Sequence, residues 1–309
     1  MTGADFVMLS LVPLVIGTLA AIACALPGNF LLLRRQALIG DAISHVVLPG
    51  IVVAFLLSGR VAAVPMMLGA GAAALVSVVL IEAIRRLGRI EPGAAMGVVF
   101  TAMFAGGVLL LEQSAASGVH LDVQHALYGN LESLIWLDGY GWGALVDGAA
   151  LRGLPPELMR MAVVTLVVVL LTALFWRALV IATFDEGFAR TLGLPVRALS
   201  LGLVAVAAAA AVAAFDAVGS IIVIAMFICP PAAARLMTDR MGGQVAWSTG
   251  FAVLSAVAGY VLAGYGPIWL GQSSAVSAAG MIATVSGVIL GLAALFGPRR
   301  RGLGAKQGG

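Results

Sequence analysis

Residues 38–58 read LIGDAISHVVLPGIVVAFLLS, and this stretch decides the fold class. An α-helix of about 20 mostly apolar residues, rising about 1.5 Å per residue, crosses the roughly 30 Å of hydrocarbon in a bilayer. Eight further stretches have the same length and character. The nine candidate spans cover roughly residues 6–27, 38–58, 64–84, 92–111, 160–180, 198–215, 217–237, 244–264 and 272–296.

The composition agrees with this pattern, because 62% of the 309 residues are hydrophobic and only 10% are charged. Soluble domains are about 45–50% apolar and about 25% charged. A soluble globular protein, a disordered chain and a nucleic-acid binder are therefore excluded. The sequence predicts an all-α, polytopic transmembrane helical bundle that forms one domain over residues 1–309. It has eight or nine spans, because only Asp216 and its neighbours separate the sixth candidate from the seventh.

The basic residues predict how the bundle is oriented. If the N-terminus lies outside, 14 of the 17 lysines and arginines fall on one side of the membrane. The positive-inside rule makes that side the cytoplasm. The N-terminus is then outside, and the basic tail at residues 298–309 is inside. Asp5 precedes the first span without a basic segment, which favours a retained helix over a cleaved signal peptide.

The chain lacks the sequence motifs of a hydrolase. Lys306 is its only lysine and is followed by Gln307, so a phosphate-binding G-x-x-x-x-G-K-[ST] loop is absent. H-E-x-x-H and G-x-S-x-G are absent as well. If the protein works with ATP, we expect a separate subunit to hydrolyse it.

Asp41 and His45 are titratable residues at the start of the second candidate span. Placing an Asp inside a span costs about 2.5–3.5 kcal/mol on insertion scales, so such residues are often functional. Four residues separate the two, which puts them on one face of a helix. A carboxylate and an imidazole in this arrangement can bind a divalent transition metal, and a second copy of the chain would double the ligands.

Two other interpretations of this pair remain open on the sequence alone. Asp41 follows Gly40 and could cap the start of the helix, or it could pair with Arg34 or Arg35. His45 could be a hydrogen-bonded core residue without a ligand.

The predicted outer segment, at about residues 113–159, contains a second group of donors. His120, Asp122 and His125 lie within six residues and could collect a cation at the outer mouth, or simply be solvated. A short interfacial or re-entrant helix is expected around Ala126–Trp136. Asp216 could line the same route or lie at the water interface.

A cytoplasmic segment at about residues 183–195 has the pattern of a short amphipathic helix. Acidic residues open it, apolar side chains recur at i, i+4 and i+8, and Gly193 and Pro195 end it. The apolar face could dock into a groove of a partner or lie on the membrane surface. The residues assigned to it are Phe184, Asp185, Glu186, Phe188, Leu192 and Gly193.

Four stretches together resemble one known family. These are LLLRRQALIGDAISHVVLPGIVVAFLL (31–57), EPGAAMGVVFTAMFAGGVLL (91–110), TFDEGFARTLGLP (183–195) and VGSIIVIAMFICPPAAARLM (218–237). They resemble the ABC-3 permeases, the membrane subunits of bacterial zinc/manganese ABC importers. The resemblance runs in consistent order from about residue 10 to 296. The outer connection between residues 130 and 160 looks longer than in many relatives.

The resemblance implies a type II importer-like homodimer in the bacterial cytoplasmic membrane. It implies cytoplasmic ABC ATPase subunits and an extracytoplasmic metal-binding protein as partners, transported Zn²⁺ or Mn²⁺, and no permanently bound cofactor. It also implies that Asp41 and His45 contribute to the metal path at the subunit interface and that residues 184–194 dock into the ATPase. The alternative is a secondary transporter or channel that moves divalent cations alone, although no clear inverted repeat is visible.

Overall fold

Long helices make up most of the computed structural model, which describes residues 3–59, 63–113, 131–269, 271 and 276–298. The side chains of some helical positions, including Asp41, lie outside the described part. We label the helices α1 Val12–Leu33, α2 Leu38–Ser58, α3 Ala63–Gly88, α4 Pro92–Gln113, α5 Pro156–Leu174, α6 Trp176–Phe184, α7 Glu186–Thr191, α8 Val196–Val218, α9 Ser220–Met237, α10 Met241–Trp269 and α11 Ala278–Phe296. A short helix, Gly3–Phe6, and a π-helical turn, Val7–Leu11, precede α1.

Eight helices of the described chain are long and apolar enough to cross a membrane. The first of them combines the π-helical turn with α1, and the others lie in α3, α4, α5, α8, α9, α10 and α11. Helix α2 is 21 residues long and contains a shorter apolar stretch, His45–Ser58. These helices confirm the predicted all-α, polytopic bundle.

The weak boundary between the sixth and seventh candidate spans is a real break, but it does not lie at Asp216. Helix α8 continues through Asp216 to Val218, and α9 begins at Ser220. Gly219 between them has φ 81° and ψ 170°, a backbone conformation that glycine adopts at little cost because it has no Cβ. One residue therefore separates two helices that run in opposite directions through the bundle.

The fifth candidate span differs from the prediction at both ends. Helix α5 begins at Pro156, four residues before the predicted start, because proline suits the first turn of a helix. It ends at Leu174, and Phe175 leaves helical geometry with φ −94° and ψ 11°. Helix α6 then starts at Trp176, so the predicted span is two helices with a bend between them.

Helix α1 lies at the centre of one group of helices, where it packs against α5, α8, α9 and α10. Helix α11 packs on α9 and α10. A second group consists of α2, α3 and α4, and α8 contacts both groups. The large buried side chains include Phe30 of α1 and Phe227 of α9.

Contacts at the termini of the helices define two ends of the bundle. At one end, which we call the α7 end, Arg34 after α1 hydrogen-bonds Thr183 of α6 and Ser200 of α8. At the opposite end, the backbone N–H of Trp136 donates to the carbonyl of Met8 at 2.9 Å. The first spanning helix and the segment between α4 and α5 therefore meet at the end that is remote from α7.

Candidate metal path and coupling helix

Helix α2 carries the Asp41/His45 pair and is held by close contacts with its two neighbours. A Cβ added at Gly50 would lie 2.5 Å from the Gly69 carbonyl oxygen of α3. A Cβ added at Gly107 of α4 would lie 2.6 Å from the Pro49 Cβ. Small residues of this kind let membrane helices approach at backbone distance. The middle of α2 therefore has little freedom to slide against α3 or α4.

The His45 side chain is half-buried and faces α4. Its ring stacks on Phe100, with centroids 5.2 Å apart and planes 20° apart, and meets Phe104 edge-on at 5.8 Å. Asp41 lies one turn earlier in α2, and its side chain is outside the described part. The stacking fixes the plane of the imidazole, which a ligand with a constant direction requires.

No group of three or more His, Cys, Asp or Glu side chains comes together around a possible metal position within the described residues. The described part of one chain thus contains no closed cage of the kind that structural zinc sites use. His120, Asp122 and His125 lie outside the described residues, and their role stays a prediction.

Asp216 lies beside a cavity of about 180 Å³ between α2, α3 and α8. Val47 and Ile51 of α2 line this cavity together with Met66, Met67 and Asp216. Since Ile51 follows His45 by six residues, the cavity lies roughly 9 Å further along α2, away from the α7 end. The Asp216 carboxylate accepts a 2.8 Å ion pair from Arg160 of α5.

The described part of the segment between α4 and α5 is folded against the bundle. Trp136 is fully buried, and its indole N–H donates to the Ala150 carbonyl at 3.0 Å. The Glu132 carboxylate accepts from the backbone N–H of Ala278, at the start of α11. The helix predicted around Ala126–Trp136 is wrong in its described part, which has only a 3₁₀ turn at Leu131–Ser133. The Glu132 carboxylate in this turn satisfies one of the orphan N–H groups at the start of α11.

Helix α7 lies at the position that the sequence predicts for the coupling segment. Asp185 caps it, because the carboxylate accepts from the Phe188 N–H at 2.9 Å. Gly193 follows in the left-handed region with φ 74°. Three apolar side chains of the segment are more than half exposed: Phe184 at 56%, Phe188 at 53% and Leu192 at 53%.

Arg34 connects this segment to the rest of the bundle. Its Nε donates to the Thr183 hydroxyl at 3.1 Å and its Nη1 to the Ser200 hydroxyl at 2.8 Å. Burial lowers the pKa of the guanidinium from its usual value, and the Glu186 carboxylate opposes this shift. The Asp41 side chain lies outside the described part, so its pairing with Arg34 or Arg35 stays a prediction.

Sequence reasoning did not identify the two aromatic neighbours of His45. Phe100 and Phe104 are four residues apart in α4, so they share a face, and that spacing was the available signal. The hydrogen bonds of Arg34 had no such signal, because Thr183 and Ser200 lie about 150 residues away in sequence.

Comparisons with known proteins match nearly the whole chain. The model of the ABC 3 transport family matches residues 8–137 and 148–296. The manganese transport system membrane protein MntD of Bacillus subtilis is 38% identical over 282 residues, which are 91% of this chain and 90% of that protein. The zinc transport system membrane protein TroD of Treponema pallidum is 35% identical over 92% of this chain and 73% of its own length.

Among solved structures, PsaBC from Streptococcus pneumoniae in complex with a Fab has the same fold. The TM-score is 0.74 at 26% sequence identity, and the match covers 95% of this chain and 94% of the solved chain.

Proposed function

Since this chain belongs to the ABC 3 transport family, we propose that it is the membrane permease subunit of an ABC importer for Mn²⁺ or Zn²⁺. Relatives named as manganese and zinc transport system membrane proteins support this substrate class. The chain is a multi-pass membrane protein and a transport component. Carboxylate and imidazole ligands suit both ions, so the ligand types do not choose between them.

The observation that carries the proposal is the position of His45. An imidazole inside a membrane helix is costly unless it serves a purpose, and this ring is held between Phe100 and Phe104. In a homodimer, two copies of α2 would bring two Asp41/His45 pairs to one path. Each pair provides too few ligands to trap the ion, which favours release after transient binding.

The ion would enter at the end opposite α7. We assign that end to the outside, in agreement with the distribution of arginines, and we place the N-terminus there. A metal-binding protein would deliver the ion to this mouth, where His120, Asp122 and His125 are candidate first contacts. From there the ion would pass towards His45.

Energy for transport would come from separate ATPase subunits in the cytoplasm. Helix α7 is the proposed contact, because its exposed Phe188 and the flanking, exposed Phe184 and Leu192 suit a hydrophobic groove. Movement of α7 would reach the bundle through Arg34, whose hydrogen bonds join α1, α6 and α8.

Uptake of ⁵⁴Mn²⁺ and ⁶⁵Zn²⁺ tests the proposal in cells that express the whole transport system. We expect Asp41→Ala and His45→Ala to reduce uptake of the transported ion by at least about tenfold at unchanged membrane expression, because each removes a ligand. Thr284→Ala in α11 is the control, since this exposed hydroxyl only bonds the Gly280 carbonyl.

Two results would contradict the proposal. Normal uptake by both variants at normal expression would remove the metal-path role of Asp41 and His45. Metal flux through liposomes that contain this chain without an ATPase would instead indicate a stand-alone transporter or channel.

A further inference from the structure

An apolar groove of about 300 Å³ runs between α5, α6 and α8 at the α7 end of the bundle. Its walls include Leu171, Phe175, Leu179, Leu199, Leu203 and Val206. Most of these residues belong to α5 and α8, two helices that are long and apolar enough to cross a membrane.

Two local features lie at this groove. Phe175, which leaves helical geometry between α5 and α6, is one of its lining residues. Gly202 of α8 contributes no side chain, and a Cβ added at this position would meet nothing within 4 Å.

At its end near α7, the groove adjoins a second hollow. Pro195 and Ala198 line both the groove and this second cavity, which has a volume of about 490 Å³. The other residues that line the hollow are Arg190, Val196 and Arg197. Two arginines thus line the hollow that adjoins the apolar groove, where α7 leads into α8.

The charge at this mouth is not locked in strong pairs. Arg190 pairs with Glu186 at 3.1 Å, but the two side chains are 67% and 55% exposed, so the pair contributes little. The other acidic side chain nearby, Glu82, pairs with Arg85 at 3.0 Å within α3. Arg190 and Arg197 can therefore turn towards an anion without breaking a buried salt bridge.

We propose that the groove and the two arginines bind one anionic phospholipid, with an acyl chain along α8 and the phosphate at Arg190 and Arg197. Basic pockets between membrane helices on the cytoplasmic side are suited to anionic headgroups, and the apolar groove suits the chain attached to such a headgroup. A neutral lipid would bring no net negative charge to the two guanidinium groups. A soluble anion would leave the apolar groove unused.

Because Arg190 belongs to α7, the bound headgroup would hold α7 at the level of the membrane surface. This consequence for coupling rests on the proposed function. Lipid binding itself does not, because it depends only on the groove and its charges.

Native mass spectrometry of the full-length purified chain tests the site by titration with phosphatidylglycerol, phosphatidylcholine or inorganic phosphate. We expect one phosphatidylglycerol to bind preferentially. Each arginine near an anionic lipid contributes about fivefold in affinity, so the double variant Arg190→Gln/Arg197→Gln should bind about 25-fold more weakly. Gly202→Leu places a side chain in the groove, where an added Cβ meets nothing within 4 Å, and should weaken binding by about tenfold or more.

Two matched controls keep the test specific. Arg240→Gln removes an exposed arginine from the same end, and Gly250→Leu fills open space on the exposed face of α10. Both should bind phosphatidylglycerol within twofold of the wild type. Equal binding of the two lipids, wild-type binding by the double variant or by Gly202→Leu, or phosphate binding with the same affinity as the lipid would overturn the proposal. Since the readout is binding, a failure of metal transport would leave this result unchanged.

Discussion

The region around His45 in α2 and the exposed face of α7 both differ from the usual pattern of burial. A polar ring is partly buried in the first, and apolar side chains are exposed in the second. In α2, a titratable ring lies half-buried inside a membrane helix, against Phe100 and Phe104. At α7, the large apolar side chains of Phe184, Phe188 and Leu192 are exposed. The exposed apolar side chains at α7 cost free energy unless a partner or the membrane covers them. For α2 we infer a metal ion and a second copy, and for α7 an ATPase subunit.

The two regions also differ in what holds them. Glycine contacts at Gly50 and Gly107 fix α2 between two long helices. Helix α7 has only six residues, and such short helices are marginal without capping or tertiary packing. It depends on the Asp185 cap and on the buried Ala189. The comparison predicts a rigid binding position in α2 and an adaptable contact in α7.

Among substitutions at α7, we expect the larger loss of ATPase association from a change at Phe188. Phe188→Ser should leave the permease folded, because the side chain is already more than half exposed. It should weaken association with the ATPase by about thirtyfold, as loss of a central aromatic anchor costs about 2 kcal/mol. Co-purification and a binding titration in detergent measure this change.

Phe296→Ser is the matched control for that substitution, because it removes another exposed phenylalanine, at the end of α11. Its ATPase association should equal that of the wild type. If Phe188→Ser also associates normally, the apolar face of α7 lies on the membrane surface and is not a docking face.

A smaller effect is expected when the cap of α7 is removed. Asp185→Ala deletes the acceptor for the Phe188 N–H, and loss of an N-cap costs about 1 kcal/mol. ATPase association should then fall by about fivefold, and Asp185→Ser should restore most of it.

Asp147→Ala is the control for removal of this cap. Asp147 caps the short helix Gly148–Leu151, which lies at the end of the bundle opposite α7. That variant should not change ATPase association. Equal losses from Asp185→Ala and Asp147→Ala would mean that the caps act on general stability and not on coupling.

Sequence alone predicted the helices that long apolar stretches define, including α2. It left open whether α8 and α9 are separate helices, and the break lies at Gly219 and not at Asp216. It predicted the cap and the apolar face of α7, because these depend on neighbouring residues. It placed the ends of α5 wrongly, because the helix starts earlier, at Pro156, and ends at Leu174, shortly before Arg177. It also missed the contact of His45 with Phe100 and Phe104, because packing between separate helices has no local signature.

The family resemblance supplied what spacing could not. Asp41 and His45 by themselves were compatible with a helix cap and a core histidine. Agreement with the ABC 3 transport family over residues 8–137 and 148–296 shows that the chain is a transport component, and the metal-path role of the two residues stays a proposal.

The central claim is that Asp41 and His45 bind the transported ion at an interface between two copies of the chain. Anomalous diffraction at the Mn and Zn absorption edges, from crystals of the importer soaked in the transported metal, tests it directly. We predict a peak about 2.0–2.2 Å from a His45 ring nitrogen and an Asp41 carboxylate oxygen, close to the two-fold axis. Metal peaks only elsewhere, with both side chains facing lipid, would contradict the account.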